Sequence, residues 1–163
     1  MKKLVQIGAL LMVVGLMSAW ADDNALPTWF DYEKCDFCRC WGAEPALVAH
    51  TREEFRPLSD GIVWITYIDK DYRPTFTKVM AAEAKVVEDL NAGEKLTVCQ
   101  YCAAVNSFGK KGVRIEGVEG SDAIVTLYTS TDSSMVRELQ AFGARAVEEE
   151  AKANGEFLKS KEK

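Results

Sequence analysis

The run Ile62-Val-Trp-Ile-Thr-Tyr-Ile68 is the clearest strand signal in the chain, and Ala123-Ile-Val-Thr-Leu-Tyr-Thr129 has the same character. Both runs consist mostly of β-branched and aromatic residues, which favour half-buried strands. Residues 112–118 alternate polar and apolar side chains, and the turn-forming residues 119–122 follow them, so a hairpin with the second run is predicted. We therefore expect sheet structure to organise the fold.

A long helix is predicted after each of these two runs. The first covers Thr75 to about Asn91, with Pro74 before it and Gly93 after it. The second covers Asp132 to about Asn154 and is expected to end before Gly155. Apolar residues recur at helical spacing in both, which gives each helix a face that can pack on a sheet.

Shorter elements are predicted around the cysteines. Lys95 to Val98 indicates a short strand that runs into Cys99, and helices are expected over Pro45 to Phe55 and Ala103 to Phe108. Both halves of the chain then contain a cysteine pair, a helix, strand structure and a long helix, in that order. This order indicates an internal duplication.

The five cysteines form two groups, Cys35-Asp-Phe-Cys38-Arg-Cys40 and Cys99-Gln-Tyr-Cys102. Each group holds a C-x-x-C pair with an aromatic residue before its second cysteine. Two such pairs can supply four thiolates to one tetrahedral metal ion, because a two-residue spacer lets both sulfurs reach the same ion. The two pairs could meet at one ion across the two halves, or each could act alone. Zinc suits four thiolates, and Cu(I) suits a smaller number. The sequence thus predicts a soft-metal site at Cys35, Cys38, Cys99 and Cys102.

The second half also resembles the heavy-metal-associated domains over Val98 to about Ala146. The points of agreement are the Cys99/Cys102 pair, Gly112-Val113 at the start of the next strand, and Ile124 to Tyr128 followed by an amphipathic helix. Those domains are ferredoxin-like βαββαβ modules with a C-x-x-C at the end of their first strand. The resemblance implies this fold and soft-metal binding.

Two other uses of the cysteines stay open. A C-x-x-C at the start of a helix lowers the pKa of its first thiol, so Cys99 could instead act in thiol–disulfide exchange. Alternatively, four of the cysteines form disulfides that stabilise a small exported domain. Because five is an odd number, Cys40 would remain as a third ligand, a buried thiol or a link to a second chain.

Two further polar residues need partners. His50, the one histidine, could add a nitrogen ligand to the first cysteine pair, although a solvent-facing or hydrogen-bonded histidine is the simpler interpretation. Glu83 falls within the apolar arc of the first long helix, where an unpaired carboxylate is costly. We expect it to reach an arginine such as Arg114, or to make a polar contact between the halves where Gly143 leaves room.

The first 21 residues have the pattern of a secretory signal. Lys2 and Lys3 precede an apolar stretch from Leu4 to Leu16, and Ala19-Trp20-Ala21 supplies a cleavage site. We expect an exported protein, periplasmic or extracellular, that begins at Asp22 and keeps no stable membrane insertion. The net charge of −5 argues against nucleic acid as a partner, since phosphate binding needs a basic surface.

Together these patterns predict an α+β fold of two duplicated ferredoxin-like halves, with antiparallel sheets and amphipathic helices on one face. The halves span residues 22–93 and 94–155, after a signal at 1–21 and before a tail at 156–163. The expected function is binding of zinc or Cu(I) rather than catalysis. The metal ion is the one partner that the sequence indicates.

Overall fold

The computed structural model describes residues 26–161, so the predicted signal over residues 1–21 lies outside the described residues. Helices and strands alternate along this part of the chain, with one turn of 3₁₀ helix at Lys70–Tyr72. In chain order the elements are α1 (Cys38–Gly42), α2 (Pro45–Ala49), β1 (Thr51–Leu58), β2 (Gly61–Ile68), α3 (Arg73–Asn91), α4 (Gln100–Lys110), β3 (Arg114–Glu119), β4 (Ala123–Thr129) and α5 (Ser133–Lys161).

The four strands form one antiparallel sheet in the order β1-β2-β4-β3. Its two central strands, β2 and β4, are the runs that the sequence marks most clearly, and Trp64 pairs there with Thr126. The backbones come so close at Gly61 that a β-carbon would lie 1.8 Å from the carbonyl oxygen of Tyr128. Any larger residue at the start of β2 would push the central strands apart.

The structure has one sheet, whereas the sequence predicted separate sheets in the two halves. Each half supplies one hairpin, β1–β2 from the first half and β3–β4 from the second. An isolated hairpin is marginally stable, and pairing β2 with β4 joins the two into a sheet wide enough to carry a core. The α+β class is confirmed, whereas an arrangement as two ferredoxin-like halves is not.

Two short elements near the cysteines differ from the prediction. Val98 makes only an isolated bridge, so the strand expected over Lys95 to Val98 is wrong. The helix expected over Pro45 to Phe55 ends at Ala49, because the residues from Thr51 onward pair with β2. Phe55 stacks there on Trp64 with ring centroids 5.1 Å apart.

Helix α5 continues beyond its predicted end. Gly155 lies inside it, and residues 156–161, which were predicted as part of the tail, are helical. Phe157 is buried and packs on Tyr32 with ring centroids 4.7 Å apart, which offsets the roughly 1 kcal/mol cost of an internal glycine. Between residues 26 and 161, no helix combines the length and the apolar character that crossing a membrane requires.

The core lies between the helices and one face of the sheet. Alternate residues of β2, from Ile62 to Ile68, point toward the helices. The larger core cluster joins Phe108 of α4 and Leu139 and Phe142 of α5 to the inner face of the sheet, and it includes the two C-x-x-C pairs. A smaller cluster packs Phe76 and other residues of α3 on Ile68. The cysteine pairs are therefore part of the main core.

Candidate metal centre

Four sulfur atoms converge in the main core. They belong to Cys35, Cys38, Cys99 and Cys102, and all lie within 4.8 Å of one another. The Cys38 sulfur is 3.5 Å from the sulfurs of Cys99 and Cys102. A tetrahedral zinc ion with Zn–S bonds of about 2.3 Å holds its sulfurs about 3.8 Å apart. This group, the four-cysteine cluster, has the size of a tetrahedral site and could hold a metal ion.

The cluster is shielded from solvent. Cys35 and Cys99 are 0% exposed, while Cys38 and Cys102 are 6% and 8% exposed. All four are free thiols, and the 3.5 Å contacts are far longer than an S–S bond of about 2.05 Å. A metal ion bound there would be held in a nearly dry environment.

The two C-x-x-C pairs have the same local geometry. In each pair the backbone N–H of the second cysteine donates to the sulfur of the first. The carbonyl of each first cysteine accepts a hydrogen bond from the N–H four residues later, at 2.9 Å in both pairs. Cys38 begins α1 and Cys99 is the N-cap of α4, so a helix orients each pair.

Asp36 joins the two pairs directly. Its backbone N–H donates to the carbonyl of Thr97 at 2.8 Å, and the N–H of Thr97 donates to Asp36 Oδ2 at 2.7 Å. Arg39 Nη1 lies 3.1 Å from the other carboxylate oxygen. The residue after the first cysteine of one pair is thus bonded to the chain just before the other pair, and we call this contact the Asp36–Thr97 clasp.

Residues 26–29 brace the second pair from outside. The N–H of Leu26 donates to the carbonyl of Val98 at 2.7 Å, and the N–H groups of Gln100 and Tyr101 donate to the carbonyls of Thr28 and Trp29 at 3.1 and 3.0 Å. These bonds satisfy N–H groups at the start of α4, which have no partner inside the helix.

Comparisons with protein-family models, with curated proteins and with solved structures find no match. Function therefore has to be inferred from the four-cysteine cluster and its surroundings.

The cysteines of the cluster differ in the pKa of their thiols. Hydrogen bonds from neighbouring thiols, that of Cys102 first, lower the pKa of Cys35 and of Cys99. The pKa of Cys102 is raised well above its usual range because its proton is held by the other sulfurs, that of Cys35 first. The first cysteine of each pair therefore favours the thiolate form, which is the form that binds a metal.

The two additional ligands considered for the first pair lie outside the cluster. The Cys40 thiol donates to the carbonyl of Asp36 at 3.7 Å, and burial raises the pKa of Cys40. His50 is exposed, with Nδ1 2.7 Å from Asp69 Oδ2 and its ring stacked on Tyr72 at 4.1 Å. The simpler interpretation of His50 is confirmed.

Glu83 has a different partner from those expected. Its carboxylate accepts a hydrogen bond from Trp41 Nε1 at 2.9 Å, so the contact stays within the first half of the chain. The expected reach to Arg114 is wrong, because Arg114 pairs with Glu116 on its own strand. Gly143 makes room for Phe55 instead of Glu83. Burial raises the pKa of Glu83 to about 7.

Sequence reasoning missed three acidic residues around the cluster. Asp36 carried a usable signal, because a carboxylate inside a cysteine spacer is close to backbone N–H groups that need acceptors. Glu53 and Glu150 carried none, since each belongs to a charged stretch typical of a solvated surface. Both side chains are instead half-buried. Loss of solvent raises the pKa of Glu53 well above its usual range and that of Glu150 to about 7.

Proposed function

We propose that the chain is a soft-metal binding protein whose four-cysteine cluster holds one zinc ion, with Cu(I) as the alternative. The observation that carries this proposal is the mutual approach of all four sulfurs to within 4.8 Å. Two disulfides would need only two pairwise contacts. Four sulfurs gathered around one point are what a single tetrahedral ion requires.

The burial of the thiols favours metal binding over redox catalysis. Cys99 would be the attacking thiol in disulfide exchange, yet it is 0% exposed. A nucleophilic thiolate has to meet the disulfide of another molecule, which requires access. A metal ligand has no such requirement.

Zinc is the preferred ion because four thiolates complete its tetrahedral coordination without water. Cu(I) binds well to fewer thiolates, so a copper site would use only part of the cluster. Either ion would link the first half of the chain to the second across the Asp36–Thr97 clasp. The metal would then stabilise the fold as well as being bound by it.

The test is elemental mass spectrometry together with thiol counting on protein purified without reductant or chelator. We expect about one zinc or copper per chain, one reactive thiol at Cys40, and four more reactive thiols after metal removal. The Cys40→Ser variant should keep its metal, and Cys99→Ser should lose it. A reduced wild-type chain without stoichiometric affinity for zinc or Cu(I) would contradict the proposal.

We also propose that the protein is exported, on the strength of the basic, apolar and Ala19-Trp20-Ala21 pattern at its start. N-terminal sequencing of the protein made in cells that carry out secretion is expected to begin at Asp22. A mature chain that still begins at Met1 would overturn this part of the proposal.

An internal duplication is proposed for the same chain. It is supported by the order cysteine pair, helix, hairpin, long helix in both halves, and by the symmetric strand order β1-β2-β4-β3. The matching local geometry of the two C-x-x-C pairs supports it further. On this view the four-cysteine cluster formed where two copies of one motif met.

A further inference from the structure

A cavity of about 220 Å³ lies between the inner face of the sheet and the long helices α3 and α5. Three carboxylates line it, Glu53 from β1, Glu83 from α3 and Glu150 from α5. Cys38 and Cys102 also line it, so it borders the four-cysteine cluster. We call this space the acidic cavity.

The three carboxylates lack a cationic partner. Within residues 26–161, none of them forms a salt bridge with a lysine, arginine or histidine. Neutral groups donate to them, Trp41 Nε1 to Glu83 at 2.9 Å, Asn154 Nδ2 to Glu150 at 3.4 Å and Thr66 Oγ1 to Glu53 at 3.5 Å. The carboxyl groups of Glu53 and Glu150 also share a hydrogen bond with each other. Buried carboxylates are costly unless an opposite charge is near, so a cation would stabilise them.

A polar group in the wall of the cavity is also left unsatisfied. Tyr101 lines the cavity and is 8% exposed, and its hydroxyl has no hydrogen-bond partner in the described part of the chain. Buried hydroxyls are almost always hydrogen-bonded, so this one is available to a molecule that enters the cavity.

The rest of the wall is largely aromatic. Phe30, Tyr32, Trp41, Trp64, Phe76 and Tyr101 all contribute to it. The faces of aromatic rings attract cations, most strongly when water is excluded. Carboxylates and aromatic faces in one cavity are the combination that recognises an organic cation.

A metal ion is a poor fit to the carboxylates. Within residues 26–161, the four-cysteine cluster is the one group whose possible ligand atoms all lie within 4.8 Å of one another, so the three carboxylates do not converge on a point. A ligand that reaches all three has to be a molecule of several atoms, and the cavity has room for one. We propose that the acidic cavity binds a small organic cation, either a protonated amine or a quaternary ammonium compound.

Isothermal titration calorimetry on the full chain tests this with choline, n-butylammonium and 3,3-dimethyl-1-butanol, an alcohol with the shape of choline but no charge. At least one cation is expected to bind once per chain and about 10-fold or more tighter than the alcohol. The proposal is overturned if neither cation binds saturably at concentrations up to about 10 mM, or if the alcohol binds as well as the tighter-binding cation.

Substitutions of the carboxylates test whether the cation binds in the acidic cavity. Glu53→Gln combined with Glu150→Gln should weaken cation binding about 10-fold or more, and Glu83→Gln alone is a second variant if the double variant does not fold. Glu116→Gln, on the exposed side of β3, is the matched control and should bind as the wild type does. Unchanged binding in the folded cavity variants would overturn the proposal. The titrations need no metal in the four-cysteine cluster, so they test the cavity independently.

Discussion

The four-cysteine cluster and the acidic cavity lie side by side and share Cys38 and Cys102 as a common wall. In the cluster, four donor atoms from two distant stretches of chain meet around one point. In the cavity, three carboxylates from β1, α3 and α5 surround a space without converging on one point. The first arrangement suits one ion and the second suits a molecule. We expect bound metal to stabilise the fold at the cluster, whereas the carboxylates withdrawn from water around the cavity cost stability.

The largest expected effect is the difference in stability loss between replacing a cysteine of the cluster and replacing Cys40, which lies outside it. Cys99→Ser should lower the unfolding free energy of the metal-loaded protein by more than about 3 kcal/mol, because a ligand is lost at a fully buried position. Cys40→Ser should cost less than about 1 kcal/mol. Urea unfolding measures both, and equal losses would mean that the cluster holds no metal of structural importance.

The second effect is on the stability of the folded protein, and it depends on the protonation of Glu83 in the wall of the cavity. Burial raises the pKa of Glu83 to about 7 from 4.5, so the folded state holds this proton more tightly than the unfolded state does. Proton binding by Glu83 therefore stabilises the folded state in full below about pH 4.5, and this stabilisation is lost as the pH rises through about 7. Glu83→Gln keeps an acceptor for Trp41 and should stabilise the protein by about 2–3 kcal/mol at about pH 8.

The control for this variant is Glu88→Gln, an exposed position on the same helix. It should leave the difference in stability between about pH 5 and pH 8 unchanged, while Glu83→Gln should reduce that difference. Thermal or urea unfolding across this range is the measurement. An equal pH dependence in the wild type and in Glu83→Gln would show that the carboxylate is not destabilised by burial.

A smaller effect concerns the clasp that brings the two cysteine pairs together. Asp36→Ala leaves the N–H of Thr97 without its acceptor, and we expect a loss of about 1–2 kcal/mol and about 10-fold weaker metal binding. Asp36→Asn can still accept that hydrogen bond, so it should retain most of the affinity. Competition with a chromophoric chelator gives the metal affinities of both variants. Weak metal binding by Asp36→Asn would mean that the charge of Asp36 matters more than its hydrogen bond to Thr97.

The smallest effects compare two tyrosines in the wall of the cavity. The Tyr32 hydroxyl donates to Asn154 Oδ1 at 2.5 Å, so Tyr32→Phe should cost about 1 kcal/mol. Tyr101→Phe removes a hydroxyl that has no hydrogen-bond partner among residues 26–161. The variant should be as stable as the wild type in the absence of ligand, or slightly more stable. A loss of stability in Tyr101→Phe as large as that in Tyr32→Phe would mean that its hydroxyl has a partner in solution.

Several elements could be predicted because their signals are local. β2 and β4 are rich in β-branched and aromatic residues, and α3 and α5 have apolar faces at helical spacing. β1 could not be predicted, since its residues Thr-Arg-Glu-Glu have little strand character and form a strand because they pair with β2. The end of α5 was also beyond local reasoning, because the contact of Phe157 with Tyr32 carries the helix past Gly155.

The sequence by itself determined which side chains are able to bind a soft metal, because residue type and the two-residue spacing are local properties of each C-x-x-C pair. Only the tertiary structure decided that the two pairs meet, since this depends on the Asp36–Thr97 clasp and on contacts between residues 61 and 64 positions apart. The same holds for Glu53, Glu83 and Glu150. Glu53 and Glu150 lie in charged stretches typical of a surface, and Glu83 lies on an apolar helical face. The pairing of β1 with the sheet and the packing of α3 and α5 over it place all three around one cavity.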